Sequence, residues 1–365
     1  MKKNKEQSCS PCIKTSIGGQ ALLEGIMMRG PKKCSMAVRN TDGEIVIEEV
    51  EIKAKKRPKI TKIPFIRGIF NFADSMSVGY KALMRSAEIS GLEEAEAEMD
   101  REKAAKKRAK VAKKAEKSGE ILTDEPTAED SAEVKKTEKK KESDSLSGIV
   151  MVVGTLLGVV LALVLFIALP NFICTLILGE PGNHPVLYAV ISGVIKVIIL
   201  ILYMWLVSYM KDIKRTFMYH GAEHKTIFCY ENGLELTVEN VKKQSRFHPR
   251  CGTSFLFLTV FVSVVIMIVV GMLLGLWLPD TVKDSKILYT LIRTGIAVLL
   301  VPLMAGIGYE LIKLAGRHDN VFTRIISAPG LLMQRITTKE PDDSMIECAI
   351  AAVKEVIPDD GSDRI

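Results

Sequence analysis

Four long apolar blocks in the C-terminal part of the chain restrict its fold more than any other feature. GIVMVVGTLLGVVLALVLFIALP (148–170) carries no charge and is long enough to cross a bilayer core as a helix, which takes about 20 residues. VLYAVISGVIKVIILILYMWLVSYM (186–210) has one charge near its middle, Lys196, and SFLFLTVFVSVVIMIVVGMLLGLWLP (254–279) has none. ILYTLIRTGIAVLLVPLMAGIGYELIKL (287–314) is interrupted by Arg293, Pro302 and Glu310; proline and glycine are tolerated in membrane helices. A hydrophobic content of 48% over 365 residues, gathered in this way, excludes an ordinary soluble core as the destination of most apolar side chains.

The basic residues set an orientation, because the loops next to membrane helices carry their excess of Lys and Arg on the cytoplasmic side. Residues 211–253 hold Lys211, Lys214, Arg215, Lys225, Lys242, Lys243, Arg246 and Arg250, whereas residues 171–185 hold none. Both termini and the central loop are therefore expected in the cytoplasm. The start, MKKNKEQSCSPC, is basic but has no apolar run behind it, so no cleavable signal peptide is expected. Six of the seven cysteines fall on the reducing side of this topology, where structural disulfides are not expected. Cys9 and Cys12 have CxxC spacing, but a lone pair in a polar tail is weak evidence for metal or redox work.

Outside the apolar blocks the chain divides by composition. After a polar tail (1–14), residues 15–57 read as a small cytoplasmic folded region. CSMAVRNTDGEIVIEEVEI (34–52) has two β-prone runs around Thr41-Asp42-Gly43, a hairpin signal. The glycine-rich stretch IGGQALLEGIMMRGP (17–31) matches neither a P-loop nor a dinucleotide fingerprint and reads as a connector packing Leu22, Leu23, Ile26 and Met27. From 64 to 90, Phe65, Ile69, Phe72, Met76, Tyr80 and Leu83 recur at helical spacing, giving one amphipathic helix. It fits the membrane interface or the surface of the folded region. Residues 91–147 alternate acidic and basic blocks with no apolar face, as a solvated tether does. The net charge of +7 is accounted for by this tether and by basic residues flanking the spans, where lipid headgroups meet them; it is not a nucleic-acid footprint. The end of the chain (315–365) is a cytoplasmic helical region in which PDDSMIECAIAAVKEVI (341–357) is an amphipathic helix.

The sharpest chemical signal is YHGAEHK (219–225). Positions i, i+3 and i+4 share a helical face, so His220, Glu223 and His224 project together. HxxEH is an arrangement in which two histidines hold a metal and the glutamate acts as base, although Gly221 inside that turn weakens the helix. His248 and Cys251, in FHPRC, and Glu310 near the end of the fourth block fall at the same predicted membrane face. A His220, His224, His248 and Cys251 set would close the shell of a structural metal; two histidines with Glu310 would leave a water position open. Zinc suits either set. Capping of helix ends at the membrane boundary is the alternative role for these histidines.

GGQALLEGIMMRGP, IPFIRGIFNFADSMSVGYKALMRSAE, YHGAEHK, SRFHPRCGTSF, KLAGR and TTKEPDD together resemble the YqhQ family of bacterial membrane proteins, a family of unknown function for which a metal-dependent enzyme has been suggested. The resemblance implies a bacterial plasma-membrane protein and transfers no substrate. It leaves residues 91–147 as an insertion. The sequence thus reads as an α-helical multi-pass membrane protein of about four transmembrane helices (148–314) with a small cytoplasmic α+β part. Its lipid bilayer is the one partner implied, and a divalent metal, zinc, is its expected cofactor. Function divides between a metal-dependent hydrolase with Glu223 as catalytic base, a non-enzymatic scaffold with a structural metal or no metal, and a transporter. Transport rests on Lys196 and Arg293, and Arg293 is close enough to the outer end to snorkel.

Overall fold

A computed structural model describes residues 13–51, 63, 65–91, 153–179, 184–283, 285–317 and 321–364. Cys9, Cys12 and nearly all of the charged tether lie outside the described residues. The chain divides into two units, residues 92–168 and the remainder.

Within the larger unit, four strands form an antiparallel meander in the order β1 (Gly18–Leu22), β2 (Gly25–Arg29), β3 (Cys34–Arg39) and β4 (Ile45–Glu49). The glycine-rich stretch read as a connector is therefore the first hairpin. Glycine punctuation hid a short alternation: Leu22, Met27, Met36 and Val38 point to one face of the sheet, and Ile26, Met28 and Ala37 to the other. The β1–β2 turn holds Glu24 at a φ of 50°, a conformation that non-glycine residues rarely adopt. Its carboxylate accepts from the Arg215 guanidinium and the Tyr219 hydroxyl, which tie the turn to the next layer. β3 and β4 pair around Thr41-Asp42-Gly43, with Gly43 at a φ of 85°.

One face of the sheet packs against α1 (Ile66–Ile89) through Val78, Ala82, Leu83 and Ile89. The other packs against two helices later in the chain, which places the sheet between helical layers. In that larger core Tyr219, Ala222, Ile227 and Cys229 meet Met345, Ile346, Ala349 and Val353 at full or near-full burial. The amphipathic helix expected near the C-terminus is thus a central element of the folded region.

α2 (Val153–Leu178), α3 (Pro185–Val207) and the segment Phe255–Trp277 are each long and apolar enough to cross a membrane. α2 contains one π-helical turn, Val164–Ala168. Between α3 and the third of these lie α4 (Lys211–Glu231) and the short α5 (Val238–Lys242), and the third span belongs to α6 (Thr253–Trp277). The fourth block differs from a simple span. It is broken into α7 (Lys286–Leu299) and α8 (Val301–Arg317), whose apolar parts bend by 48° beside Pro302. Proline removes a helical hydrogen bond and pushes the preceding turn aside. Among the described residues, the helices long and apolar enough to cross a membrane therefore number three, or four if the bent pair is one span. α9 (Val321–Thr337) and α10 (Asp343–Lys354) complete the chain.

Arg293 does not snorkel. Its side chain is 1% exposed and its guanidinium lies over the Tyr188 ring at 4.7 Å from the centroid, with Nε and one terminal nitrogen lacking a hydrogen-bond partner among the described residues. Stacking on an aromatic face offers a buried cation partial compensation.

Candidate metal centre

α4 carries His220, Glu223 and His224 as one continuous helix. Gly221 is what lets it do so beside its neighbour: a Cβ there would sit 2.0 Å from the Lys339 carbonyl oxygen. The backbone of 337–341 therefore lies directly on α4, with the Lys339 N–H donating to the Phe217 carbonyl at 2.8 Å. Asp342 then caps α10 by accepting from the Met345 N–H.

This close approach orients the histidines. The Thr337 carbonyl lies 2.9 Å from His220 Nδ1, and the Arg246 carbonyl lies 2.6 Å from His224 Nδ1. Carbonyls only accept, so each Nδ1 carries the proton and each Nε2 offers its lone pair. His220 Nε2 is 3.2 Å from Cys251 Sγ. His224 is 1% exposed, and its Nε2 meets no geometric hydrogen-bond partner among the described residues. Burial holds the His224 imidazole below its ordinary range, opposed by the Cys251 thiol beside it, so the ring is kept neutral. One ligand atom from each of His220, His224 and Cys251 lies within 4.8 Å of the others.

Glu223 turns toward the edge of the sheet. Its Oε1 accepts from the Gly19 N–H at 3.0 Å, and a Cβ on Gly19 would come within 3.0 Å of the Glu223 carboxyl carbon. Gly19 thus admits a carboxylate to the edge of β1. Burial pushes the Glu223 carboxyl up, while His220 and the Gly19 N–H pull it back.

The other two expected ligands are committed elsewhere. His248 Nε2 faces the Glu231 carboxylate at 3.5 Å, and its Nδ1 accepts from the Arg250 N–H at 3.3 Å. Both ring nitrogens are thus engaged, and its backbone is held on both sides by the Gln334 amide at 2.8 Å. Glu310 is gripped by Arg67 of α1 through two hydrogen bonds of 3.0 and 2.6 Å. Neither the closed four-ligand shell nor the pair of histidines with Glu310 is assembled. The group that is assembled, His220, His224 and Cys251, is a third combination.

Glu231 had no motif to reveal it. It accepts from Arg250 and His248 and from the Thr15 N–H at 2.9 Å. Burial alone would raise its carboxyl, but the bonds from His248 and Thr15 and the Arg250 charge outweigh it and hold the group below its ordinary value. It fixes the HPRC turn and, through that turn, Cys251.

A cavity of about 890 Å³ adjoins the cluster. His220, Glu223, His224 and Cys251 line it from one side and Thr15–Ala21 from another, with Phe72, Ser75 and Met76 of α1, Phe255, Tyr309, Lys313 and Ser327 completing the wall. Its size is that of a small-molecule site.

The residues present could hold a metal ion, and nitrogen and sulfur donors are the kinds that zinc takes. Tetrahedral zinc holds nitrogen and sulfur donors about 3.5 Å apart, near the separation of His220 Nε2 and Cys251 Sγ. Nδ1–H to carbonyl bonds are the usual outer support of metal-bound histidine, and His224 Nε2 is a buried acceptor otherwise unsatisfied. His220, His224 and Cys251 would hold such an ion at the wall of the cavity.

The family model for a protein of unknown function, DUF1385, matches residues 63–359. An uncharacterized protein, YqhQ of Bacillus subtilis (strain 168), is 32% identical over 350 residues, covering 94% of this chain and 93% of that protein. No solved structure matches.

Proposed function

The chain belongs to the DUF1385 family, and from that membership and the geometry above we propose that it is an integral membrane protein that binds zinc through His220, His224 and Cys251 and acts as a hydrolase at the cytoplasmic face. The observation that carries the reading is the convergence of the buried His224 imidazole with the His220 and Cys251 donors, within 4.8 Å of one another at the wall of a cavity. A zinc ion held by His220, His224 and Cys251 would supply Lewis acidity and would make nearby water more acidic. Glu223 accepts a proton from water and returns it to the leaving group; its burial and its anchor on Gly19 fit that duty. Gly19 holds the carboxylate in place, and Thr337 and Arg246 hold the two imidazoles. The asymmetry of Lys and Arg supports a cytoplasmic location for the site and both termini.

A second reading, a metal-stapled scaffold, is favoured by how many segments meet at the cluster: α4, the HPRC turn and residues 337–341 all touch it. Glu223→Gln separates the two. The hydrolase reading expects this variant to keep full zinc occupancy and fail to restore function to a strain lacking the protein. Retention of both zinc and function would leave the scaffold.

A further inference from the structure

α1 and α9 present apolar side chains outward where a protein bathed in water would not. Phe70 is 44% exposed and Met76 53% on α1; Ile325 is 65% exposed and Leu332 61% on α9. Large apolar side chains this exposed call for a covering partner, and the packing of these helices identifies one. Gly68 of α1 is pressed against Gly306, where a Cβ would meet the Gly306 carbonyl oxygen at 2.5 Å. Gly306 lies inside the apolar segment Val301–Leu311. One turn on, Phe72 stacks on Phe255 at 5.2 Å between centroids, and Phe255 is the first residue of the span Phe255–Trp277. α9 packs along α6 as well. Both helices are thus packed against helices that are apolar enough to cross a bilayer.

From this we infer that α1 and α9 lie in the headgroup layer of the bilayer, and that the cavity beside the histidine–cysteine cluster opens into that layer between them. Its rim shows the link. Phe72, Ser75 and Met76 of α1 and Ser327 of α9 line the cavity, and Met76 also belongs to the outward apolar surface. A molecule entering past Met76 and Phe72 comes from the acyl–headgroup boundary. Resting on the hydrolase reading, the substrate class is then an amphiphile already dissolved in the bilayer, whose polar end reaches His220, His224 and Cys251. Amphipathic helices with an aromatic and aliphatic face commonly take this position. Near the start of α1 two polar side chains are engaged inward, Arg67 by Glu310 and Asn71 by the Tyr309 hydroxyl at 3.2 Å.

The test uses the full chain in vesicles of phosphatidylcholine brominated high on its acyl chains. With Trp205→Phe, native Trp277 is the reference inside lipid. In a background that also carries Trp277→Phe, single tryptophans are placed by Phe70→Trp, Met76→Trp and Ile325→Trp, with Glu44→Trp on an exposed turn as the aqueous control. Bromolipid is expected to quench residues 70, 76 and 325 as strongly as Trp277, and acrylamide to quench only residue 44 strongly. Acrylamide quenching at 70 and 325 without bromolipid quenching would place the helices in water and overturn the inference. Protection of both from either quencher would mean a second copy covers them, which also overturns it. Lipid contact at 70 and 325 with Met76→Trp open only to acrylamide would refute the route from the bilayer. The Glu223→Gln test of function reports on the hydrolase reading independently of all these outcomes, and absence of zinc from the same preparations would sink that reading without altering them.

Discussion

At the residue scale, the candidate centre depends on side chains that hold other side chains. Glu231 is the clearest case: burying a carboxylate is costly unless it is paired and hydrogen-bonded, and Arg250, His248 and Thr15 supply those partners. Its folded pKa lies below the unfolded value near 4.5. The stability it lends is therefore complete above that value and is lost as pH falls through the folded one. Glu231→Gln should lower stability by about 3 kcal/mol near neutral pH, as breaking a buried ion pair does, and should flatten the acid limb of the unfolding profile. Thermal unfolding of the detergent-solubilised protein between pH 3 and 7 checks it; a wild-type acid limb in the variant would mean that Glu231 carries no such role. Glycines act here too, but at contacts: Gly19 admits Glu223 to the edge of β1, and Gly221 admits the Lys339 backbone to α4.

At the element scale, α4 and the segment 337–341 form one unit, since the helix cannot present His220 correctly unless Thr337 supplies its carbonyl. Gly221→Ala should push the segment away and weaken zinc binding on the order of tenfold to a hundredfold, the usual effect of losing outer support of a metal ligand. Competition with a chromophoric chelator measures this, and unchanged affinity would show that the contact does not orient the site. Much of this scale was legible in the sequence. The apolar blocks, the hairpin around Thr41-Asp42-Gly43 and the two amphipathic helices follow from periodicity. The first hairpin was not legible, because Gly18, Gly19 and Gly25 break the alternation by which strands are recognised; each is there for a neighbour that approaches too closely for a side chain, or for an open cavity. At the site, helical spacing grouped His220 with His224, and the expected membrane face grouped Cys251, His248 and Glu310 with them. Residue type does not reveal that His248 faces Glu231 and that Glu310 is held by Arg67. Gly221, which lowers helix propensity, was evidence against a helix only in isolation; the partner it accommodates lies more than a hundred residues further along the chain.

At the scale of the whole molecule, a folded α/β region is joined to helices apolar enough to span a bilayer, with the candidate centre close to their junction. The charge asymmetry predicts its orientation. An impermeant maleimide should label Thr281→Cys in intact cells and Glu44→Cys only after permeabilisation; the reverse pattern would invert the topology and put the cluster outside. The central claim is that His220, His224 and Cys251 bind zinc. It is tested most directly by the zinc content, per chain, of detergent-purified wild-type protein beside His224→Ala and Glu310→Gln. The expected result is about one equivalent of zinc in the wild type, as a single three-ligand site holds one ion, none in His224→Ala, and wild-type content in Glu310→Gln, because Glu310 is held by Arg67. A wild-type protein without metal, or a His224→Ala variant that retains it, would contradict the account.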